Sequence, residues 1–419
     1  MVLKIRIAIM QFLQYFVWGS WMMTIGAWWF HTQHWSGAQF GAIFSTMGIA
    51  SLFMPALTGI IADRWINAEK LYGALHLCGA AILFYIPHVN NPTTMFWVML
   101  INMCFYMPTI SFERTISYSS MESAKMNIFK EYPPIRVFGT VGFIAAMWII
   151  SLLHLETSSR MFYVAGSAAL ILGVYGFTMP KCLPLGKSTG SLVSALGLDA
   201  FKLFKYYKMA LFLIFSMLLG AAQQLTNAYG DTFLHSFADF VIYKTTLLVK
   251  YPAIIMSISQ ISEVGFIFAI PLFIRRFGIK NVMLLSMVAW VFRFGLLGFG
   301  NPIGGLWMIV LSCIVYGMAF DFFNISGSLY VETQVDPGFR ASAQGLFMFM
   351  SNGVGAFIGS FSSGWMISEF FTNQIGTIHW QGWSGVWVVF ATYSLILAVL
   401  FFILFQHKHD SQESVKVYH

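Results

Sequence analysis

Four groups of polar residues fall inside long apolar runs, where a charge at the bilayer centre costs roughly 3 kcal/mol on insertion scales. Arg136, Thr140 and Phe143 are spaced i, i+4, i+7 and share one helix face. An arginine there can hold a polar solute, with Phe143 as an apolar wall; the alternative is that it snorkels to the headgroups just after Pro133-Pro134. Gln224 and Asn227 are i, i+3 neighbours. Their amides offer donors and acceptors to a neutral solute, or bond across helices as packing glue. Gln260 and Glu263 repeat that spacing within the apolar run 254–274. A buried glutamate is costly unless paired or protonated, which favours a functional role. Gly317, Asp321, Asn324 and Ser328 are spaced 4, 3 and 4, a small polar stripe with Tyr316 and Phe320 beside it. A lone intramembrane aspartate in such a stripe is the best proton-site candidate, with Glu263 as its rival. A structural hydrogen bond between helices is the alternative. Glu113 and Arg114 are adjacent, so they point about 100° apart on a helix and need separate partners. They lie toward the cytoplasmic end of their run, and no substrate role is assigned to them.

The elements that must position these residues are membrane spans. Of 419 residues 58% are hydrophobic and only 9% charged, too few charges to cover a soluble surface, so the solvent is a bilayer. A spanning helix needs about 20 mostly apolar residues. Twelve such runs are read, at 7–30, 38–62, 69–87, 93–118, 128–154, 160–180, 208–230, 248–274, 279–299, 303–332, 337–366 and 381–406. Backbone groups in lipid must be satisfied within the segment, which makes these helices; barrel strands would alternate, and these runs do not. The expected fold is therefore all-α, with twelve transmembrane helices in two six-helix bundles. Residues 1–180 form the first bundle, 181–207 a cytoplasmic central loop, 208–406 the second bundle and 407–419 a cytoplasmic tail. The loop begins with turn-forming residues and ends in a short amphipathic stretch carrying Lys202 and Lys205, read as an interfacial helix. No cleavable signal peptide is expected at the start, because the first apolar run is too long and lacks a small-residue cleavage motif.

Lysine and arginine fix the orientation. With the N-terminus inside, the cytoplasmic segments hold Lys4, Arg6, Arg64, Lys70, Lys125, Lys202, Lys205, Lys208, Arg275, Arg276, Lys280 and Arg340 among others, whereas the opposite side holds Arg160, Lys244 and Lys250. The positive-inside rule then places both termini in the cytoplasm and accounts for the +7 net charge without nucleic acid. Cys78, Cys104, Cys182 and Cys313 lie far apart and form no CxxC, so neither a metal site nor a disulfide framework is indicated. HExxH, GxSxG and P-loop strings are lacking, which argues against a hydrolase. No cofactor is expected.

Gly59, Asp63 and Arg64 close the second run in the pattern G-x-x-x-D-R, which resembles the loop motif of the major facilitator superfamily. Residues 275–280, with Arg275, Arg276, Gly278 and Lys280, echo it in the second half. A carboxylate at such a loop can cap a neighbouring helix and pair with a basic residue, latching one state. Longer strings carry a narrower resemblance. FLQYFVWGSW at 12–21, PPIRVFGT at 133–140, FDFFNISGS at 320–328 and RASAQG at 340–345 resemble the bacterial nucleoside:proton symporters of that superfamily, and the xanthosine permease is similar too. One position departs, since Arg114 stands where asparagine is expected, and this bears on substrate preference rather than fold.

The resemblance implies import of nucleosides (uridine, cytidine, adenosine, with xanthosine as a further candidate) together with protons, across the bacterial inner membrane, by a monomer. It implies a substrate pocket between the bundles, opened to each side in turn. By matching motif it assigns solute contacts to Arg136, Thr140, Phe143, Gln224, Asn227, Gln260, Glu263, Tyr316, Phe320 and Asp321, and proton coupling to Asp321 and Glu263. A proton-linked sugar or drug transporter and a membrane-embedded enzyme are the competing readings. Substrate competition separates the first from a nucleoside carrier, and uptake of chemically unchanged solute excludes the second.

Overall fold

Long apolar segments satisfy their own backbones as helices, and among the residues described by the computed structural model every regular element is helical. Those residues are 2–184, 198–336, 340–371 and 380–406. The chain divides into two compact units, Met1–Leu196 and Gly197–His419. Nine helices among the described residues are long and apolar enough to cross a membrane, and the helix Met161–Gly176 is apolar but shorter.

The N-terminal unit contains α1 (Val2–Gly19), α2 (Gly37–Arg64), α3 (Ala68–Tyr85), α4 (Pro92–Ser123), α5 (Ile128–Leu152) and α6 (Met161–Gly176). Local sequence sets the entries. Ser36 accepts from Gln39 N at 3.3 Å while the Gln39 side chain accepts from Ser36 N, a capping box at the start of α2. Asn91 caps α4 by accepting from Thr93 N at 2.8 Å, with Pro92 in the first turn. The main helix pairs are α1 with α5, α3 with α6 and α2 with α4. The α1–α5 pair is backbone against backbone. A Cβ on Gly19 would lie 2.6 Å from the Phe143 carbonyl, and one on Gly142 would run into the carbonyl of Phe12. Small residues serve this purpose at helix contacts in lipid. The Lys4 ammonium meets the Glu131 carboxylate at 2.5 Å across the same pair.

The first expected helix, 7–30, is interrupted. After Gly19 the chain turns through residues 20–24 before the short helical pieces Ile25–Ala27 and Trp28–Thr32. Ser20 Oγ donates to the Phe16 carbonyl at 2.8 Å, and Trp21 N reaches only as far as the Trp18 carbonyl, 3.3 Å. A hydroxyl bonded back onto the preceding turn tends to bend a helix.

The C-terminal unit opens with a tight 3₁₀ stretch, Leu198–Lys205, in which Ala200 and Leu203 are buried while Lys202 and Lys205 are exposed. Residues 185–197, the first part of the expected loop, and the tail 407–419 lie outside the described residues. There follow α7 (Tyr207–Ser236), α8 (Pro252–Phe299), α9 (Leu306–Gln334), α10 (Arg340–Met348), α11 (Ala356–Met366) and α12 (Trp380–Leu404). The two helices expected at 248–274 and 279–299 follow one another within the element α8, with a sharp break at Gly278 between them. Gly278 is the one residue inside it without helical geometry, at φ 78° and ψ 162°. That backbone region is essentially closed to residues with a Cβ, so the glycine is what separates two helices here. The helix expected at 337–366 is also less regular. It is found as α10 and α11 joined by the π-helical stretch Phe349–Gly355. That stretch is pressed onto α7: a Cβ on Gly220 would meet the Ser351 backbone, and one on Gly355 the Met217 carbonyl.

Candidate functional site

In the C-terminal unit α9 packs along α8. Gly317 permits this, since a Cβ there would sit 2.6–2.7 Å from backbone atoms of Ser262 and Glu263. The Ser262 hydroxyl donates to the Ile314 carbonyl across the same contact. Gly317, read from sequence as part of a polar stripe, therefore brings Glu263 alongside the stripe.

Tyr316 is the centre of what gathers there. It is buried, stacks on Phe320 with ring centroids 5.7 Å apart, and meets Trp290 edge-on at 5.9 Å. Its hydroxyl donates to Asn227 Oδ1 of α7 at 3.5 Å, a long bond. It also lies within electrostatic reach of Glu263, Asp321 and Arg293. Asp321 and Gln260 are buried, while Gln224, Glu263 and Phe320 are half-buried. The side-chain oxygens of Gln224 and Gln260 are buried and accept no hydrogen bond from the protein. A buried acceptor left unmade is expensive, so a donor from a bound molecule fits both.

The remaining stripe members do other work. Asn324 Nδ2 donates to the Phe320 carbonyl of its own helix at 2.9 Å. Ser328 Oγ lies 3.1 Å from Gln344 Oε1, and Gln344 in turn donates to the Ser328 carbonyl at 2.8 Å. These bonds tie α9 to itself and to α10.

Arg293, on the second helix of α8, is not among the candidates read from the sequence. It is fully buried, donates to Ser312 Oγ at 3.1 Å, and places its guanidinium 5.2 Å from the Tyr316 ring centroid. Its Nε and Nη2 have no hydrogen-bond partner. Its position inside an apolar run was the available signal; its proximity to Tyr316, on another helix, was not.

In the N-terminal unit Arg136 is half-buried and lays its guanidinium over the Tyr15 ring, 4.2 Å from the centroid. The guanidinium thus lies at the α1–α5 contact. Gly139 gives it room: a Cβ there would be 2.6 Å from Arg136 Nη1 and 2.7 Å from Tyr15 Cδ2. Thr140 is half-buried and Phe143 buried on the same helix. The side chain of Asp63 lies outside the described residues. Nothing approaches within 4 Å of a Cβ placed on Gly59, and Arg64 is half-buried at the end of α2.

The same unit holds a buried polar cluster that spacing did not reveal. Gln14 sits at one end of it: its Nε2 donates to Thr109 Oγ1 at 2.9 Å, its Oε1 accepts from Tyr72 OH at 2.8 Å and lies 2.8 Å from His76 Nε2, and its carbonyl accepts from Tyr106 OH at 2.8 Å. At the other end is Glu113, with no exposed surface. It accepts from the Gln11 amide, from Ser117 Oγ at 3.2 Å and from Tyr132 OH at 3.5 Å. Arg114, next in the chain, is exposed, so the divergent directions expected of the pair are found.

The chain as a whole matches known proteins. The sequence profile described as "Nucleoside H+ symporter" matches residues 1–410. The chain is 51% identical over 416 residues to the xanthosine permease of Escherichia coli K12, covering 99% of this chain and 98% of that protein. It is 48% identical over 410 residues to the nucleoside permease NupG of the same organism, covering 97% of each. The crystal structure of the nucleoside transporter NupG superposes with a TM-score of 0.90 at 47% identity, over 97% of this chain and 100% of that one. A bacterial homologue of the lysosomal transporter Spinster shares the fold at 13% identity, with a TM-score of 0.69 over 99% of this chain and 97% of that one.

Proposed function

Because this chain belongs to the nucleoside H+ symporter family, we propose that it imports nucleosides with protons, exposing one polar and aromatic binding set to each side of the membrane in turn. The chain crosses the bacterial inner membrane twelve times as a monomer, with α8 counted as two crossings, α10 and α11 together as one, and both termini in the cytoplasm. The lysine and arginine asymmetry supports that orientation. Arg136, Thr140 and Phe143 contribute to solute binding from the N-terminal unit. Gln224, Asn227, Gln260, Glu263, Tyr316, Phe320 and Asp321 contribute from the C-terminal unit.

The observation that carries this reading is the pair of buried, unsatisfied amide oxygens on Gln224 and Gln260, in the unit where Tyr316 and Phe320 stack. Amides and a carboxylate suit ribose hydroxyls and base edges. An aromatic face suits a base, at roughly 1–3 kcal/mol per stacked ring. Asp321, with Glu263 as the rival, carries the coupled proton, since a carboxylate in a low-dielectric site changes protonation as water gains and loses access.

The polar inventory exceeds what a flat base uses, so the ribose matters. Counterflow of labelled uridine in liposomes, challenged with a panel, tests this. Uridine, cytidine, adenosine and xanthosine should compete far better than uracil, adenine or a hexose. Equal competition by uracil and uridine would defeat the assignment, and chemical conversion of the label would turn the reading toward an enzyme. Xanthosine belongs in the panel because the 51%-identical relative is a xanthosine permease.

A further inference from the structure

We propose that Glu113 is a second proton-carrying site, lying in the N-terminal unit, whose protonation state controls the availability of Arg136. The idea builds on the solute role given to Arg136 above.

The geometry of two facing groups points to the proton. Gln11 Nε2 donates to Glu113 Oε1, and the hydroxyls of Ser117 and Tyr132 approach that same oxygen. All of these donors crowd onto Oε1. Glu113 Oε2 has no hydrogen-bond partner, and neither has Gln11 Oε1. Both atoms are acceptors when the carboxyl is ionised, and both are buried. An ionised Glu113 therefore leaves two buried acceptors unmade on two side chains that already touch, which native interiors avoid. A proton bonded to Oε2 turns that oxygen into a donor for Gln11 Oε1. The amide and the acid then make two complementary bonds, and the carboxyl passes from charge −1 to neutral.

The charged and titratable groups around Glu113 determine what its charge does. Arg114, on its own helix, is exposed; from α5 come Tyr132 and Arg136; from α1 Tyr15, from α3 Tyr72, and from α4 Tyr106. The charges of α2 are Asp63 and Arg64, at its end. Arg136 is thus the cation from a neighbouring helix that answers to Glu113, and it lies on the Tyr15 ring. A neutral Glu113 removes one competitor for that guanidinium. An ionised Glu113 competes for it. Proton binding on the acid side then favours nucleoside binding, and proton loss favours release, which is the order an importer needs. Nothing in this scheme requires Asp321 or Glu263, so the proton site here is additional to theirs.

The test uses the purified full chain. Infrared difference spectra across a pH titration should show a protonated-carboxyl C=O band that Glu113→Gln removes. Calorimetry of uridine binding should show weakening as pH rises, with the slope of log Kd against pH smaller in Glu113→Gln by up to one proton. A variant that keeps every acid band and the full slope overturns the proposal. Tyr132→Phe provides an independent arm should Glu113→Gln fold poorly. Removing a donor to the carboxylate lets the acid band persist to higher pH, and a band that does not move overturns the assignment. Arg136→Ala separates the two ideas. If the Glu113 band titrates but Arg136→Ala leaves uridine affinity intact, the solute role of Arg136 fails while the proton site stands.

Discussion

Gln260 and Gln224 illustrate what a single side chain contributes. Each presents a buried oxygen that the protein leaves unsatisfied, and the proposed binding role has a solute donor supply the missing bond. Removing such a partner leaves a buried donor of the solute unpaired, at about 1–3 kcal/mol. Gln260→Ala and Glu263→Ala should therefore each weaken uridine binding by roughly five- to a hundred-fold in calorimetry, with thermal unfolding little changed. Normal affinity in both would assign them to packing. The sequence exposed these residues because polar groups stand out in apolar runs, and i, i+3 spacing puts them on one face. It did not separate Asn324 and Ser328 from their neighbours in the stripe, because whether an amide bonds its own helix or points elsewhere depends on a rotamer. Glu113 and Arg293 were visible as intramembrane charges, but their partners Gln11, Tyr132, Ser312 and Tyr316 come from other helices. No pattern within one helix encodes such a meeting.

Helices were legible from apolar length, and their interruptions were not. The two apolar runs on either side of Gly278 were read as separate helices for their length, and the structure adds the reason they separate so abruptly. Gly278 sits at φ 78°, ψ 162°, a conformation that L side chains rarely adopt. Gly278→Ala should cost about 1–3 kcal/mol and lower the thermal midpoint of the purified protein, while Gly265→Ala serves as control because open space surrounds it. Equal midpoints for the two variants would mean that the chain relieves the strain elsewhere. The turn at residues 20–24 and the π-helical stretch Phe349–Gly355 escaped the sequence reading for a shared reason. Both are places where backbone presses on a neighbouring helix, Gly19 on Phe143 and Ser351 on Gly220, and hydropathy does not register a close approach.

At the scale of the whole molecule the protein converts a proton gradient into a solute gradient. One proton entering at about 150 mV gains roughly 3.5 kcal/mol, enough for accumulation of a few hundred-fold. The proton is useful only if solute entry depends on it, and Asp321 is where that dependence is assigned. The most direct measurement is uptake of labelled uridine into liposomes holding the purified protein, with and without an outside-acid pH gradient. For one proton per nucleoside, each pH unit of gradient should raise the inside-to-outside ratio about tenfold. Asp321→Asn preserves shape but cannot release a proton, so it should exchange uridine in counterflow and fail to concentrate it. Uridine that only equilibrates across the wild-type membrane under an imposed gradient would contradict proton-coupled import, and a variant that still concentrates it would move the coupling role from Asp321 to Glu263.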